Sequence, residues 1–474
     1  MANLIKVDIC AIGGGSGGMA VAGRAARMGA SAVLIERKKM GGDCLNYGCV
    51  PSKSLLAAGR IAALGRRSEQ FGIKINGAEV DGQGVHRHVR EVMDTIAPND
   101  SPERFERMGV KVIHAQARFT GPSEIEAGDY RIRARHFVIA TGSKSAVPPI
   151  PGIDEVPYFT NETIFEKDFV PKHLIIVGGG PTGIEMAQAH RNLGAKVTLI
   201  EAASILPRDD PELVAVIRQC LVKDGIEILE RTEVTRMRAA VDRISVEVKR
   251  GGNMTLIDGT HILVAAGRWA TVDGLDLDRA GVVFTDKAIV VDRRLRTSNK
   301  RIFAVGDVAG GYQFAHTAGY HAWIVLRNAL LKWPSKVDHS SIPWVTYTHP
   351  ELAHVGLTEA EASRRHGRLR ILRWKFADND RAHTERDTDG LIKVVAKSNG
   401  QVIGTSIVGP HAGELLYPWA LLVARRMNVR AIAHMIAPYP TYGYASKYAA
   451  DSFFEPLIYG SGMKRLVRIL GRIC

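Results

Sequence analysis

One three-glycine phrase occurs twice in this chain, each time after an apolar run and before a second apolar run that ends in an acid. VDICAIGGGSGGMAVAGRAARMGASAVLIER reads as strand, tight turn, helix, strand, with Gly13, Gly15 and Gly18 at the G-x-G-x-x-G positions. HLIIVGGGPTGIEMAQAHRNLGAKVTLIEAAS repeats it with Gly178, Gly180 and Gly183. Such glycines permit the turn, let backbone approach a pyrophosphate, and let the helix pack on the strand. The helix N-terminus then offers free amides and the positive end of its dipole. Glu36 and Glu201 each lie 18 residues past the third glycine, where a carboxylate accepts hydrogen bonds from a ribose. The two units stand roughly 165 residues apart. A chain with both can hold two dinucleotides, one as electron donor and one as acceptor. Glu201 would also repel a ribose 2′-phosphate, and no Lys or Arg follows it until Arg208, so NADH is expected over NADPH.

At 474 residues the chain is too long for one core, which predicts two to four domains. Its 46% hydrophobic and 24% charged residues are ordinary for a globular protein. No apolar run approaches the roughly 18–20 residues that span a bilayer. The N-terminus passes almost at once into the strand-like Val7–Ile12 with no signal peptide before it, and the expectation is a cytoplasmic protein. The net charge of +14 is spread along the chain without a recognition module, so nucleic acid is not an expected partner. Attraction of acidic substrates or anionic surfaces fits the charge better.

The five cysteines, Cys10, Cys44, Cys49, Cys220 and Cys474, are too few and too scattered for a secreted disulfide framework. Two fall close together in GGDCLNYGCVPSK, from Gly41 to Lys53. Taken alone, this pair is compatible with a zinc half-site, a structural staple or a disulfide made and broken in turnover. Zinc needs two more ligands. Cys10 belongs to an expected buried strand, Cys220 to a helix and Cys474 to the terminus, and none forms a second pair.

Further motifs follow in a fixed order. VIATGSKSAVPPIPG runs from Val138 to Gly152, VAAGRWATVDGLDLDRAGV from Val264 to Val282, FAVGDVAGGYQFAHTAGYHA from Phe303 to Ala322, and VTYTHPELAHVGLTEAEA from Val345 to Ala362. With both glycine turns, they make the chain resemble, over essentially its whole length, the pyridine nucleotide–disulfide oxidoreductases. These are FAD flavoenzymes such as dihydrolipoyl dehydrogenase, glutathione reductase and mercuric reductase. IAPNDSPERFERMGVKV, from Ile96 to Val112, looks closest to mercuric-reductase-like members.

The resemblance implies an α/β fold with two Rossmann-like dinucleotide-binding domains and a C-terminal α+β dimerisation domain. It places an FAD domain at 1–150 and 273–340, an NAD domain at 151–272, and an interface domain at 341–474 of a homodimer. The flavin would be held by Gly13, Gly15, Ser16, Gly17, Gly18, Glu36, Arg37, Gly42, Asp43 and Lys53, with Ala140, Thr141 and Gly142 at the crossover. Gly306 and Asp307 would hold the ribityl chain, and Phe314, Ala315 and His316 would lie at the ring's pyrimidine edge. Gly178, Gly180, Thr182, Gly183, Ile184, Glu201 and Gly267 would hold the nicotinamide nucleotide. No resident metal is implied. Electrons would pass from NADH through the flavin to a Cys44–Cys49 disulfide, with Cys49 nearer the ring and Cys44 attacking the substrate. Lys53 and Glu185 would pair beside the ring, where a cation favours reduced flavin and a thiolate. In a regular helix residues five apart sit roughly 8 Å apart, whereas a disulfide wants its Cα atoms within about 7 Å. The segment must therefore leave helix geometry, and Asn46 and Gly48 tolerate that.

The chain departs from the family's disulfide reductases near its end, where mercuric reductases look similar in carrying tyrosine at the histidine position but end with a vicinal cysteine pair, of which this chain has only Cys474. Family reductases end with H-P-T-x-x-E, whose histidine shuttles a proton and whose glutamate orients it. Here the stretch reads YPTYGY, with Tyr439 at the histidine position and Tyr444 at the glutamate position. Loss of positioned acid–base help costs about 10²- to 10⁴-fold, so disulfides that need a proton should turn over slowly. A disulfide or persulfide with an acidic leaving thiol, a soft metal ion, or a quinone reduced at the flavin remains open. So does an electron-transfer flavoprotein docked to a membrane or partner. The tail SGMKRLVRILGRIC puts Leu466, Ile469, Leu470 and Ile473 at helical spacing beside Lys464, Arg465, Arg468 and Arg472. It suits an anionic membrane face or an acidic partner, or packing on its own subunit. Cys474 is an accessory thiol or merely the last residue.

Overall fold

A computed structural model of the chain describes residues 3–75 and 79–472. The first strand, β1 (Asn3–Ile12), is buried on both faces over its last four residues: Ile9 and Ala11 join one apolar cluster, Cys10 and Ile12 another. A parallel strand covered on both sides needs a solid apolar run rather than alternation, and that is why VDICAI reads as it does. The glycine turn leads into α1 (Ser16–Arg27), which returns to β2 (Ala32–Glu36), parallel to β1 in the register Ile9↔Ala32 to Ile12↔Ile35. On its other side β1 pairs in parallel with Tyr130–Ile139. The sheet runs Val110–His114, β2, β1, Tyr130–Ile139, Glu124–Ala127, Ala117–Gly121, and Ile302–Ala304 adds itself in parallel to Tyr130–Ile139. The strand at 302–304 is thus brought into the N-terminal sheet from far along the chain.

The second glycine phrase builds the same kind of unit. His173–Val177 lies between Lys196–Glu201 and His261–Val264, all parallel, with Tyr158–Phe159 beyond. A separate antiparallel sheet holds Thr232–Ala240, Arg243–Arg250 and Asn253–Gly259. By compactness the chain gathers into two units, the first from residues 1–178, 189–200 and 232–337, the second from 179–188, 201–231 and 338–474.

The second unit contains a five-stranded antiparallel sheet in the order Trp344–Thr346, Glu351–Gly356, Val402–Gly409, Leu391–Lys397, Leu369–Lys375. Trp419, from the helix Ala412–Ala424, is fully buried in the same core and donates its indole N–H to Ser446 at 3.1 Å. Lys393 carries an ammonium only 5% exposed, held by Asp210 at 2.7 Å, Glu212 at 2.9 Å and Glu359 at 2.7 Å. Removing one partner of a buried pair strands the other charge. Lys393→Ala is therefore expected to destabilise by about 3–5 kcal/mol, read as a lowered melting temperature. Asp210→Asn, which leaves Lys393 two carboxylates, should cost less. Among the described residues no helix is long and apolar enough to cross a membrane. The tail forms a helix, Ser461–Leu470, none of whose residues is buried, while Ile473 and Cys474 lie outside the described residues.

Candidate active site

The cysteine segment is built directly on the first glycine turn. A short helix, α2 (Gly42–Asn46), carries Cys44, and a long one, α3 (Cys49–Arg67), begins at Cys49. The helix breaks between the cysteines at Tyr47 and Gly48, the latter one of the two residues expected to tolerate it, and the other, Asn46, ties the break down by donating to Met40 O and Gly42 O, both at 2.9 Å. Gly42 has a positive φ of 57°, and a Cβ on it would lie 2.6 Å from the Cα of Gly15. Only a glycine lets the cysteine segment rest on the turn this closely.

The structure records Cys44 and Cys49 as two thiols rather than a bonded pair. They hydrogen-bond to each other, and that bond is the largest influence pushing the Cys44 thiol upward. Burial and the charges of Cys49, Asp43 and Asp100 add to it. Cys49 is exposed and occupies the first position of a 19-residue helix, where the dipole favours a thiolate. Between the two, Cys49 is the better anion and Cys44 the better proton holder. Lys53 follows Cys49 by four residues on the same helix, one turn on. Among the described residues no group of three or more His, Cys, Asp or Glu is arranged to hold a metal.

Both acids at the ends of the second strands cap the glycine turns. Glu36 accepts from the N–H of Gly14 at 2.5 Å and of Lys38 at 2.6 Å. Glu201 accepts from Gly179 at 2.6 Å and Ala203 at 2.8 Å. The same offsets in both turns make the duplication visible atom by atom. Arg37, beside Glu36, donates to Gln116 at 3.1 Å. In the second unit a Cβ on Gly180 would meet nothing within 4 Å, and the helix Pro181–Asn192 carries Thr182, Gly183, the buried Ile184 and Glu185. Glu185 is 4% exposed and accepts from the N–H of Tyr347 at 2.9 Å.

A polar network joins the remaining first-unit motifs, and parts of it escaped the sequence reading. Asp307 accepts from Ser143 at 2.5 Å. Burial pushes its carboxyl upward, while the Ser143 hydroxyl and the Arg268 charge pull against it. Arg268 donates to Ser143 Oγ at 2.6 Å and to Ser143 O at 2.9 Å, and pairs with Asp43 at 3.1 Å. Asn161 donates to Asp43 at 3.0 Å and to Tyr47 O at 3.2 Å. Ser143 and Arg268 adjoin the recognised Gly142 and Gly267, a signal available in the sequence; Asn161 carries none. Thr141 donates to Thr271 O at 2.6 Å, and Ala140 N–H bonds Ile12 O at 2.8 Å, fixing the crossover. Gly306 N–H donates to the buried His321 at 3.2 Å. His316 is exposed at the start of the helix Ala315–Ala329, its ring stacked on Phe314 at 5.3 Å.

In the second unit Tyr439 packs edge-on against Tyr444, ring centres 5.6 Å apart, and donates its hydroxyl to Asp380 at 2.7 Å.

Comparison with known proteins agrees with this geometry. A family model described as pyridine nucleotide-disulphide oxidoreductase matches residues 7–322, and one for that family's dimerisation domain matches 342–450. Mercuric reductase of Bacillus cereus is 32% identical over 449 residues, covering 94% of this chain and 71% of that protein. Dihydrolipoyl dehydrogenase of Bacillus subtilis is 30% identical, covering 94% and 97%. Among solved structures, the HOCl-induced flavoprotein disulfide reductase RclA of Escherichia coli, as its Cu(II) complex, matches with a TM-score of 0.85 at 25% identity over 94% of this chain and 99% of that one. LpdA of Mycobacterium tuberculosis matches with a TM-score of 0.86 at 25% identity over the same shares. The family uses FAD and a pyridine nucleotide, and its dimerisation domain supports a homodimer. With two congruent glycine turns, a cysteine pair resting on the first, and both family models matched in sequence, the chain belongs to the pyridine nucleotide–disulphide oxidoreductases, with their α/β fold and C-terminal dimerisation domain.

Proposed function

We propose that this flavoprotein passes electrons from NADH to the Cys44–Cys49 pair and on to a disulfide, persulfide or related thiol-reactive substrate, without a histidine–glutamate dyad. The observation that carries this reading is the pair of mutually hydrogen-bonded thiols held on the first glycine turn. The residues present fit FAD there: a Cβ on Gly15 would meet only Gly42 Cα, at 3.7 Å, so the turn admits close approach, and Asp307 is a half-buried acceptor held by Ser143. FAD, when bound, supplies the two-electron relay between nicotinamide and sulfur. The chain's own part is to hold Cys49 as a thiolate at a helix start, to keep the proton on Cys44, and to place Lys53 one helical turn past Cys49. The division into FAD (1–150, 273–340), NAD (151–272) and interface (341–474) domains is part of this proposal, as is the choice of NADH.

The test is an anaerobic NADH titration, followed by a panel of lipoamide, glutathione disulfide, coenzyme A disulfide, mercury(II) and quinones. NADH should reduce the flavin and then account for a further two electrons in the cysteine pair. Dihydrolipoamide oxidation should run at least about 10²-fold below ordinary dehydrogenase rates, because Tyr439 is a poor base at neutral pH; ordinary rates would refute the reading. A metal-ion reductase is the second reading, favoured by the relatives named mercuric reductase. For the tail we propose weak contact with an anionic membrane. Leu466 is 46% and Leu470 53% exposed beside Lys464, Arg465 and Arg468, with no acid between 461 and 472. Co-sedimentation with phosphatidylserine vesicles that persists unchanged after removal of residues 461–474 would refute it; an acidic protein partner is the alternative outcome.

A further inference from the structure

We propose that Asp380 replaces the missing glutamate as the positioning residue of the YPTYGY segment, and that it makes Tyr439 a hydrogen-bond acceptor rather than a proton donor. This rests on the reading above that Tyr439 stands at the position of the proton-shuttling histidine.

A phenol has one proton to give. In Tyr439 it is committed to Asp380 Oδ2 at 2.7 Å. The lone pairs of the phenol oxygen are then what a 65%-exposed tyrosine offers outward. The bond to the carboxylate, with the charge it carries, also holds the phenol above the ordinary tyrosine range, so it parts with the proton less readily. The arrangement is braced from two sides. Asn379, 3% exposed, accepts from Ala382 N at 3.0 Å and donates to Thr441 O at 3.2 Å, tying the segment that bears Asp380 to the one that bears Tyr439. The Tyr439 ring abuts Tyr444, which meets Tyr448 at 5.0 Å, which stacks on Trp374 at 4.6 Å. The glutamate position is thus filled by a ring that packs, while a carboxylate 59 residues upstream orients the phenol.

The chemical consequence concerns the leaving group. Attack of a thiolate on a disulfide forms one S–S bond, breaks another and expels a thiolate. An ordinary alkyl thiolate, with pKa about 8.5, leaves faster if it is protonated. An acidic aromatic thiolate needs no proton. A site whose phenol proton is committed should therefore favour substrates that depart as stable anions.

The experiment compares NADH-dependent reduction of two probes by the full-length FAD-bound protein: 5,5′-dithiobis(2-nitrobenzoate), with an acidic leaving thiol, and glutathione disulfide, with an ordinary one. Asp380→Ala frees the phenol proton and should shift the ratio of the two rates toward glutathione disulfide by about tenfold or more. Asp380→Asn keeps an acceptor oxygen and should stay near the wild-type ratio. Asp380→Ala combined with Tyr439→Phe should lose the shift, since the donor is gone. General damage to the fold lowers both rates and leaves the ratio where it was. An unchanged ratio in Asp380→Ala with turnover intact, or a shift that survives Tyr439→Phe, overturns the assignment of Asp380. Failure of wild type and all variants to reduce either probe overturns the underlying reductase reading, and this proposal with it.

Discussion

Replacing Cys44 by serine is expected to abolish NADH-dependent reduction of the physiological acceptor, with turnover falling by about 10³-fold or more, the scale on which loss of a nucleophile acts. Serine matches the shape of cysteine and cannot form or break a sulfur–sulfur bond. In the structure the bond to Cys49, together with burial, pushes the Cys44 thiol upward, and Cys49 is exposed at a helix start. The two substitutions should therefore differ in kind. Cys44→Ser leaves Cys49 without its hydrogen-bonded neighbour but still at the helix N-terminus, where a thiolate is favoured. The flavin should still be reduced by NADH, and the long-wavelength absorption of a thiolate beside oxidised flavin should persist. Cys49→Ser should remove that absorption. Anaerobic stopped-flow spectroscopy reads both. If Cys44→Ser kept full activity with the physiological acceptor, the thiols would be dispensable, and the electron-transfer reading of the chain would take their place.

The second large effect concerns the first glycine turn, where two glycines do different work. A Cβ on Gly18 would fall 1.8 Å from the carbonyl oxygen of Gly13. That oxygen has nowhere to retreat: Gly13 has φ of 110°, its N–H is bonded to Ile35 O at 2.8 Å, and it lies against Ala140. Gly18→Ala should destabilise the fold by at least about 3 kcal/mol, the upper part of the range for inserted atoms in packed backbone, and yield little folded protein. At Gly15 a Cβ would meet only the Gly42 Cα, at 3.7 Å, an ordinary contact. Gly15→Ala should fold with nearly the wild-type melting temperature and yet bind flavin poorly, because its methyl group stands where the pyrophosphate must come close. Melting curves and the ratio of flavin to protein absorbance separate the two. Equal flavin content in wild type and Gly15→Ala would remove the pyrophosphate from this turn.

The two glycine turns were legible because their geometry is local. Strand, turn, helix and acid follow one another within about thirty residues in each glycine phrase, so spacing alone located Glu36 and Glu201. Their bonds to Gly14 and Gly179 were not anticipated, since a free carboxylate at that position serves a ribose and a turn equally well. The helix break between the cysteines was legible for the same local reason: the structure puts it at Tyr47 and Gly48, with Gly48 one of the two residues expected to tolerate it. Arg37 shows what spacing does not reach: it bonds Gln116, a residue 79 positions away.

What the sequence determined by itself was a set of local signals: two glycine turns of one pattern, one close cysteine pair, and tyrosines at 439 and 444. Each depends on residues near one another in the chain, where backbone geometry leaves few choices. What only the tertiary structure decided was which distant groups hold those parts in place. Arg268 between Ser143 and Asp43, Asn161 under Tyr47, and above all Asp380 on the Tyr439 hydroxyl come from segments that no spacing rule connects. A hydrogen bond needs its two atoms within about 3 Å of each other. Only the packing of the folded chain brings residues 59 or 125 positions apart to that distance.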